Sequence, residues 1–453
     1  VKARKNDMAQ RIFFFLYGLL WFAVKPFLKR HKRLSEGYGE RIVGGSWLEL
    51  ARKNPVSLWI QASSGGEAYL TLELLKHISA EHAGMHILCT SMTKQGMDVL
   101  QKGKQAFERK WQETHALPVP LISLCYFPFD DEKSMQKAFS LARPKNCILL
   151  ETELWPCFML MCKKNGAALY VVNARMTDKT HAAYGKLKAV FSGVNPKKIF
   201  ATREKDKEHY QEIFPQSECA FMHNMKFDGI YHELLLAMQE KKENPLQAVF
   251  DGRTCMYLFA SVRREEEQKL APLIETLHRQ KKKSAVCIAP RHVARFAEWK
   301  RILQEKGLNV RFVSDIFAEN DQIKAGDIVV WDRFGDLKKL YALTDYAVVG
   351  GSFAPLGGQN FLEPLAYGIV PHIGVHLHNF LWVFEKREKN LAEGNLLYLH
   401  SSVSMLAKAL LAQPEKKFTQ HAEIQERFKI WLKPLIGGTK TVMEEILKNI
   451  SRC

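Results

Sequence analysis

Four glycines stand close together in VVGGSFAPLGGQNFLEP, residues 348–364, behind an apolar run that reads as a buried strand. Gly350, Gly351, Gly357 and Gly358 let backbone approach a ligand with no side chain between, and amides near the start of a following helix, placed at 361–367, suit an anion. On glycines alone, a sharp turn explains as much. Asn360 and Glu363 add something different, because a carboxylate repels phosphate but accepts hydrogen bonds from a diol such as ribose. Amides for phosphate with a carboxylate for ribose describe a nucleotide site. A second carboxylate, Glu67, follows Gly65 and Gly66 at the beginning of a helix after the strand VSLWIQ. Acidic residues favour a first helical turn for dipole reasons alone, and the dipole lowers their pKa. Read functionally, Glu67 is a general base with room for substrate beside it, gaining basicity by desolvation when the substrate binds.

Other charged residues stand at strand or loop ends. Glu151 and Glu153 flank Thr152 before TrpPro, one of them structural and the other facing the ligand, with nothing in the pattern to choose between them. Arg175 and Lys226 in the first half, and Arg291 with His292 in the second, are each ordinary solvated charges when taken singly. Converging, they suit an anionic donor and acceptor.

The elements that must carry these residues follow a repeated order of strand, polar loop and amphipathic helix from Val56 onward, which predicts parallel α/β architecture. A second such series begins near Thr254. Between them, 227–250 is polar and helical, a linker between two doubly wound domains that face each other across a cleft. Ligands of such sheets bind beyond the carboxyl ends of strands, where every motif above falls. No GxGxxG follows the first strand and no GxxxxGK[ST] occurs, which demotes dehydrogenases and P-loop ATPases.

The chain has 453 residues with a formal charge of +18, enough for more than one core and attractive to anionic partners. Its nine cysteines show no metal spacing, and Cys89, Cys147 and Cys287 sit in apolar runs, so they read as reduced and buried in a cytosol-facing body. Residues 12–24, IFFFLYGLLWFAV, are unbroken apolar and are followed by KPFLKRHKR at 25–33. That stretch is short of the ~20 residues of a perpendicular span and lacks a cleavage site. The expected role is a shallow or interfacial anchor over residues 1–35, dispensable for the fold, with its cations on anionic headgroups. A buried core helix is the alternative.

In order along the chain, WIQASSGGE, LLETELWP, NARM, APRHVARF, VVGGSFAPLGGQNFLEP and HLHNF resemble the motifs of the Kdo transferases of lipopolysaccharide synthesis (3-deoxy-D-manno-octulosonic acid transferase, the WaaA or KdtA family, glycosyltransferase family 30). The departures are Gln61 and Gln359 where His is expected, His223 where Gly is expected, and ValArgArg at 262–264 in place of a ThrHisGlu-like segment. The resemblance implies a GT-B fold of two Rossmann-like doubly wound parallel-sheet domains, α/β in class, with an N-terminal membrane-anchoring helix. Its implied divisions are 1–35 as anchor, 36–228 as acceptor domain and 229–453 as CMP-sugar domain. By resemblance Glu67 is the base of an inverting transfer of Kdo from CMP-Kdo to a lipid A precursor. Arg291, Gly351, Asn360 and Glu363 hold CMP, while Glu151, Glu153, Arg175 and Lys226 support acceptor or transition state. The same resemblance implies no metal or other cofactor, anionic lipids as further partners and no nucleic acid, at the cytoplasmic face of a bacterial inner membrane. Another membrane-associated GT-B enzyme with a different nucleotide sugar, or a non-catalytic anionic-lipid binder on this fold, are the alternatives.

Overall fold

The structure is a computed structural model that describes the chain except residues 1, 32–33, 192, 240–243, 253, 385–387, 416–418 and 451–453. It divides into two compact units, Val1–Gly229 with Leu435–Cys453, and Ile230–Pro434. The boundary falls inside the helix Met225–Gln239, within the expected linker.

In the first unit seven parallel strands form one sheet: β1 Leu58–Ala62, β2 His86–Ser91, β3 Leu121–Tyr126, β4 Asn146–Leu150, β5 Ala168–Ala174, β6 Lys198–Ala201 and β7 Glu218–Phe221. Their order is β3-β2-β1-β4-β5-β6-β7, so the winding reverses between β1 and β4. Strands β1, β2 and β4 are buried at every residue, as strands covered by helices on both faces must be. One face packs Trp47, Trp59, Phe139 and Phe158; the other packs Leu58, Ile60, Leu74 and Ile148.

The second unit repeats the plan with β8 Cys255–Val262, β9 Ser284–Pro290, β10 Val310–Phe312, β11 Ile328–Val330, β12 Tyr346–Val349, β13 Pro371–Gly374 and β14 Tyr398–His400. The order β10-β11-β9-β8-β12-β13-β14 reverses between β8 and β12. The glycine-rich stretch therefore leaves the strand beside the reversal.

Two findings differ from the expected divisions. The C-terminal segment does not stay with the second unit. Asp228 accepts hydrogen bonds from the Gly437 amide (2.6 Å) and the Thr439 amide (2.9 Å), pinning the start of helix Gly438–Ile450. That helix then buries Val442, Met443, Ile446 and Leu447 in the first unit's core. Nor is residues 1–35 a body of its own. Helix Lys2–Leu28 lays one stripe on the first unit: Phe14 is buried in its core, Phe13 and Tyr17 pack against it, and Trp21 meets Phe129 at 5.4 Å. The opposite stripe is bare and apolar, with Phe15, Phe22 and Phe27 at 67%, 80% and 76% exposure.

Eight cysteines are described, all free and all buried except Cys219, which is partly exposed.

Candidate active site

Helix Gly65–Leu75 begins where β1 ends, at the reversal of the first sheet. Ser64 is its N-cap, accepting from the Glu67 amide. The Glu67 carboxylate folds back onto its own loop, taking the Ser63 amide at 2.7 Å and the Ser64 hydroxyl at 3.2 Å. The side chain is 6% exposed. Burial pushes its pKa up to about 7, and the charges of Glu151 and Glu153 push the same way against the two hydrogen bonds. The expected lowering by the helix dipole is thus overridden by burial of the carboxylate against its own loop.

Glu151 directly follows β4, the other strand of the reversal, and holds a left-handed backbone at φ 56. A bulky residue is strained there. Tyr210 secures the strained peptide by donating to the Glu151 carbonyl at 3.2 Å. The Glu151 carboxylate accepts from Lys226 Nζ at 2.7 Å and from Asn173 Nδ2 at 3.4 Å, with Arg175 at 4.0 Å. Three of the four expected supporting residues, Glu151, Arg175 and Lys226, are therefore one cluster. Glu153, the fourth, is felt at Glu67 through its charge. Asn173 escaped notice in the sequence although it lies in the NARM motif. Its own φ is 57, and its side chain also accepts from the Met225 amide, aligning the peptide before Lys226.

In the second unit Asn360 donates to Glu363 at 3.0 Å. Burial raises the Glu363 pKa, the nearby Glu233 adds to this, and Lys338, Asn360 and Arg291 oppose it. Lys338 bonds Glu233 at 2.6 Å, so Glu363 meets that cation already shared. Arg291 is exposed at the carboxyl end of β9.

The glycine loop is built differently from the expected amide cradle. Glu266, fully buried, takes the Gly351 amide at 2.7 Å, the Phe353 amide at 3.0 Å and the Arg263 amide at 3.0 Å. The Gly350, Gly358 and Gln359 amides go to backbone carbonyls. These amides cannot serve a phosphate as they stand. The glycines are needed for approach: Gly351 has φ 81, and a Cβ there would lie 2.9 Å from Gln359 and Gly358 backbone. Three consecutive glutamates, 265–267, precluded choosing Glu266 from sequence; its place just past β8 is the only signal.

Among the described residues no cluster of three or more His, Cys, Asp or Glu side chains could hold a metal ion.

A family model described as 3-Deoxy-D-manno-octulosonic-acid transferase (kdotransferase) matches residues 35–229. The chain is 27% identical over 364 residues to a bifunctional glycosyltransferase/methyltransferase of Fusobacterium nucleatum, covering 78% of this chain and 52% of the relative. It is 30% identical over 315 residues to a 3-deoxy-D-manno-octulosonic acid transferase of Rickettsia felis, covering 68% and 61%. The chain thus spans half to three-fifths of the length of these relatives. In fold it is similar to a UDP-GlcNAc 2-epimerase of Neisseria meningitidis, with a TM-score of 0.52 at 11% identity over 87% of this chain and 100% of the other. By its sequence relatives and by the domain at 35–229, the chain is related to the 3-deoxy-D-manno-octulosonic acid transferase family.

Proposed function

We propose that this protein transfers Kdo from CMP-Kdo to a hydroxyl of a lipid A precursor with inversion at the anomeric carbon. The observation that carries the reading is Glu67: a buried carboxylate at the switch point of the first sheet, its pKa raised to about 7, where a general base is most useful. Glu67 takes the acceptor hydroxyl proton as that oxygen bonds to the anomeric carbon. The bond from that carbon to the phosphate oxygen breaks, and its electron pair leaves with CMP. One displacement by the acceptor itself needs no enzyme nucleophile. Lys226 and Arg175, shared with Glu151, are cations available to an anionic acceptor or to developing charge. The second unit supplies donor recognition: Arg291 for phosphate, Gly351 for close approach, and Asn360 with Glu363 for ribose hydroxyls.

The exposed apolar stripe of helix Lys2–Leu28 fits an interfacial position on an anionic leaflet, since its other stripe is committed to the first unit. A chain of charge +18 is drawn to such a surface and to a phosphorylated lipid.

The test is incubation of the purified protein with CMP-Kdo and a bisphosphorylated lipid A precursor in mixed micelles, with mass spectrometry of the lipid. A mass increase of one or more Kdo residues is expected. An unchanged lipid, with heat protection by a different nucleotide sugar, would replace the donor in this reading; no transfer and no nucleotide protection would leave a lipid binder.

A further inference from the structure

Helix Pro156–Lys164 follows the five-residue loop 151–155 that carries Glu151 and Glu153. Its own N-cap, Trp155, makes no side-chain cap. The acceptor comes from elsewhere: Asp130, beyond the end of β3, takes the Phe158 amide at 2.8 Å and the Cys157 amide at 3.1 Å. Asp130 is 1% exposed, and its remaining partner is the Tyr17 hydroxyl at 3.1 Å, reaching in from the N-terminal helix. Two turns further along the same stripe, Lys25 pairs with Asp131 at 2.5 Å and donates to Ser134 at 2.9 Å. Asp131 in turn caps helix Glu132–Ala142. Besides Gln10, which donates to the Val190 carbonyl at 3.2 Å, the N-terminal helix therefore places two polar contacts on the capping carboxylates of two helices. An anchor that served only as a tether would have no reason to do so.

We propose that Tyr17 is a positioning residue for the catalytic base: by holding Asp130 on the amino end of helix Pro156–Lys164 it fixes the loop 151–155, and with it the carboxylates of Glu151 and Glu153 beside Glu67. This rests on Glu67 being the base, as argued above. Seating of the membrane-facing helix then sets the charge environment in which that base works. A small displacement of a supporting loop is enough to matter, because misplacement on the scale of an ångström costs rate steeply. Among the described residues, the charged groups acting on Glu67 are Glu151 and Glu153, with Lys226 and Arg175 standing on Glu151.

Full-length Tyr17→Phe and Asp130→Asn are compared with wild type in mixed micelles by the pH profile of kcat/KM for CMP-Kdo transfer and by hydrogen exchange over residues 151–158. Loosening the loop relieves the carboxylate repulsion on Glu67, so the acid limb should move to lower pH. With it kcat should fall by roughly tenfold, with KM for the lipid unchanged and faster exchange at the Cys157 and Phe158 amides. A rise in lipid KM alone, with limb and kcat as in wild type, would make the helix a tether and overturn the inference. Hydrogen exchange does not depend on which sugar is moved: unchanged protection of 151–158 in Tyr17→Phe overturns it even if wild type transfers no Kdo, an outcome that separately sinks the proposed function. Should Asp130→Asn fail to fold, Tyr17→Phe, which removes one hydroxyl, decides.

Discussion

At the residue scale the proposed chemistry turns on carboxylates whose environments differ. Glu67 is buried with a pKa of about 7, so it gains its charge as pH rises through neutrality, and transfer should climb from pH 6 to 8 with an acid limb near 7 in kcat/KM. Glu67→Gln keeps the shape and removes the base; turnover should drop by roughly 100-fold or more, with CMP affinity near wild type, and near-normal turnover would exclude the role. The same burial has a stability consequence. A carboxyl whose folded pKa is raised contributes stability that is present below its unfolded value and is lost as pH rises through about 7, so Glu67→Gln should flatten the decline of melting temperature between pH 4.5 and 7. Glu363 is the counterpart in the second unit. Removing a hydrogen-bonded acceptor by Glu363→Ala should weaken CMP binding in calorimetric titration by about 1.5–3 kcal/mol. Equal affinity with a lowered melting temperature would reduce Glu363 to a helix-terminal cap bonded to Asn360.

At the element scale, what was legible in the sequence was whatever local pattern determines. Apolar runs such as ILCTS and AVCIAP became β2 and β9, and the motif-bearing loops sit at carboxyl strand ends because a parallel sheet puts them there. Short or half-polar strands, β7 with no fully buried residue and three-residue β10 and β14, carried too little pattern to be seen. The glycine loop was read as a place where free amides meet a ligand, but its Gly351 and Phe353 amides are occupied, because the acceptor, Glu266, comes from a different loop 85 residues away from Gly351 in sequence. Glu151, Arg175 and Lys226 met for a comparable reason: only folding brings the ends of β4 and β5 to the start of helix Met225–Gln239. The Glu266 arrangement makes a sharp prediction. In Glu266→Gln an Nε2 donor replaces one acceptor oxygen and faces an amide that also donates. That loss costs about 1–3 kcal/mol, read as a lower melting temperature, and weaker CMP binding should accompany it as Gly351 and Phe353 shift. Wild-type CMP affinity in a folded variant would show that the loop's position does not depend on this carboxylate.

At the scale of the whole molecule, the +18 charge, the two α/β units and an apolar N-terminal helix were all visible in composition and periodicity, but the seat of that helix was not. Residues 12–24 are apolar all round, so no stripe in the sequence separates the half that packs on protein from the half left bare. Polar side chains mark the protein-facing side: Gln10 through the Val190 carbonyl, and Tyr17 and Lys25, eight residues and about two turns apart, through Asp130 and Asp131, all of them partners that lie over a hundred residues on. This changes what removal of residues 1–35 should do. The loss exposes the surface that buries Phe14 and receives Trp21, where burying one large apolar side chain is worth about 1.5–3 kcal/mol. It also takes a hydrogen-bond partner from buried Asp130, at a further ~1–3 kcal/mol. For a unit of this size each kcal/mol moves the midpoint by about 2–4 °C. The chain beginning at residue 36 should therefore still fold, on the strength of its intact sheet and cores, but melt on the order of 10 °C below the full chain under the same detergent conditions. Calorimetric scans of both chains decide it. Coincident transitions would mean that the helix contributes no stability where it lies, and would return it to the status of a detachable anchor.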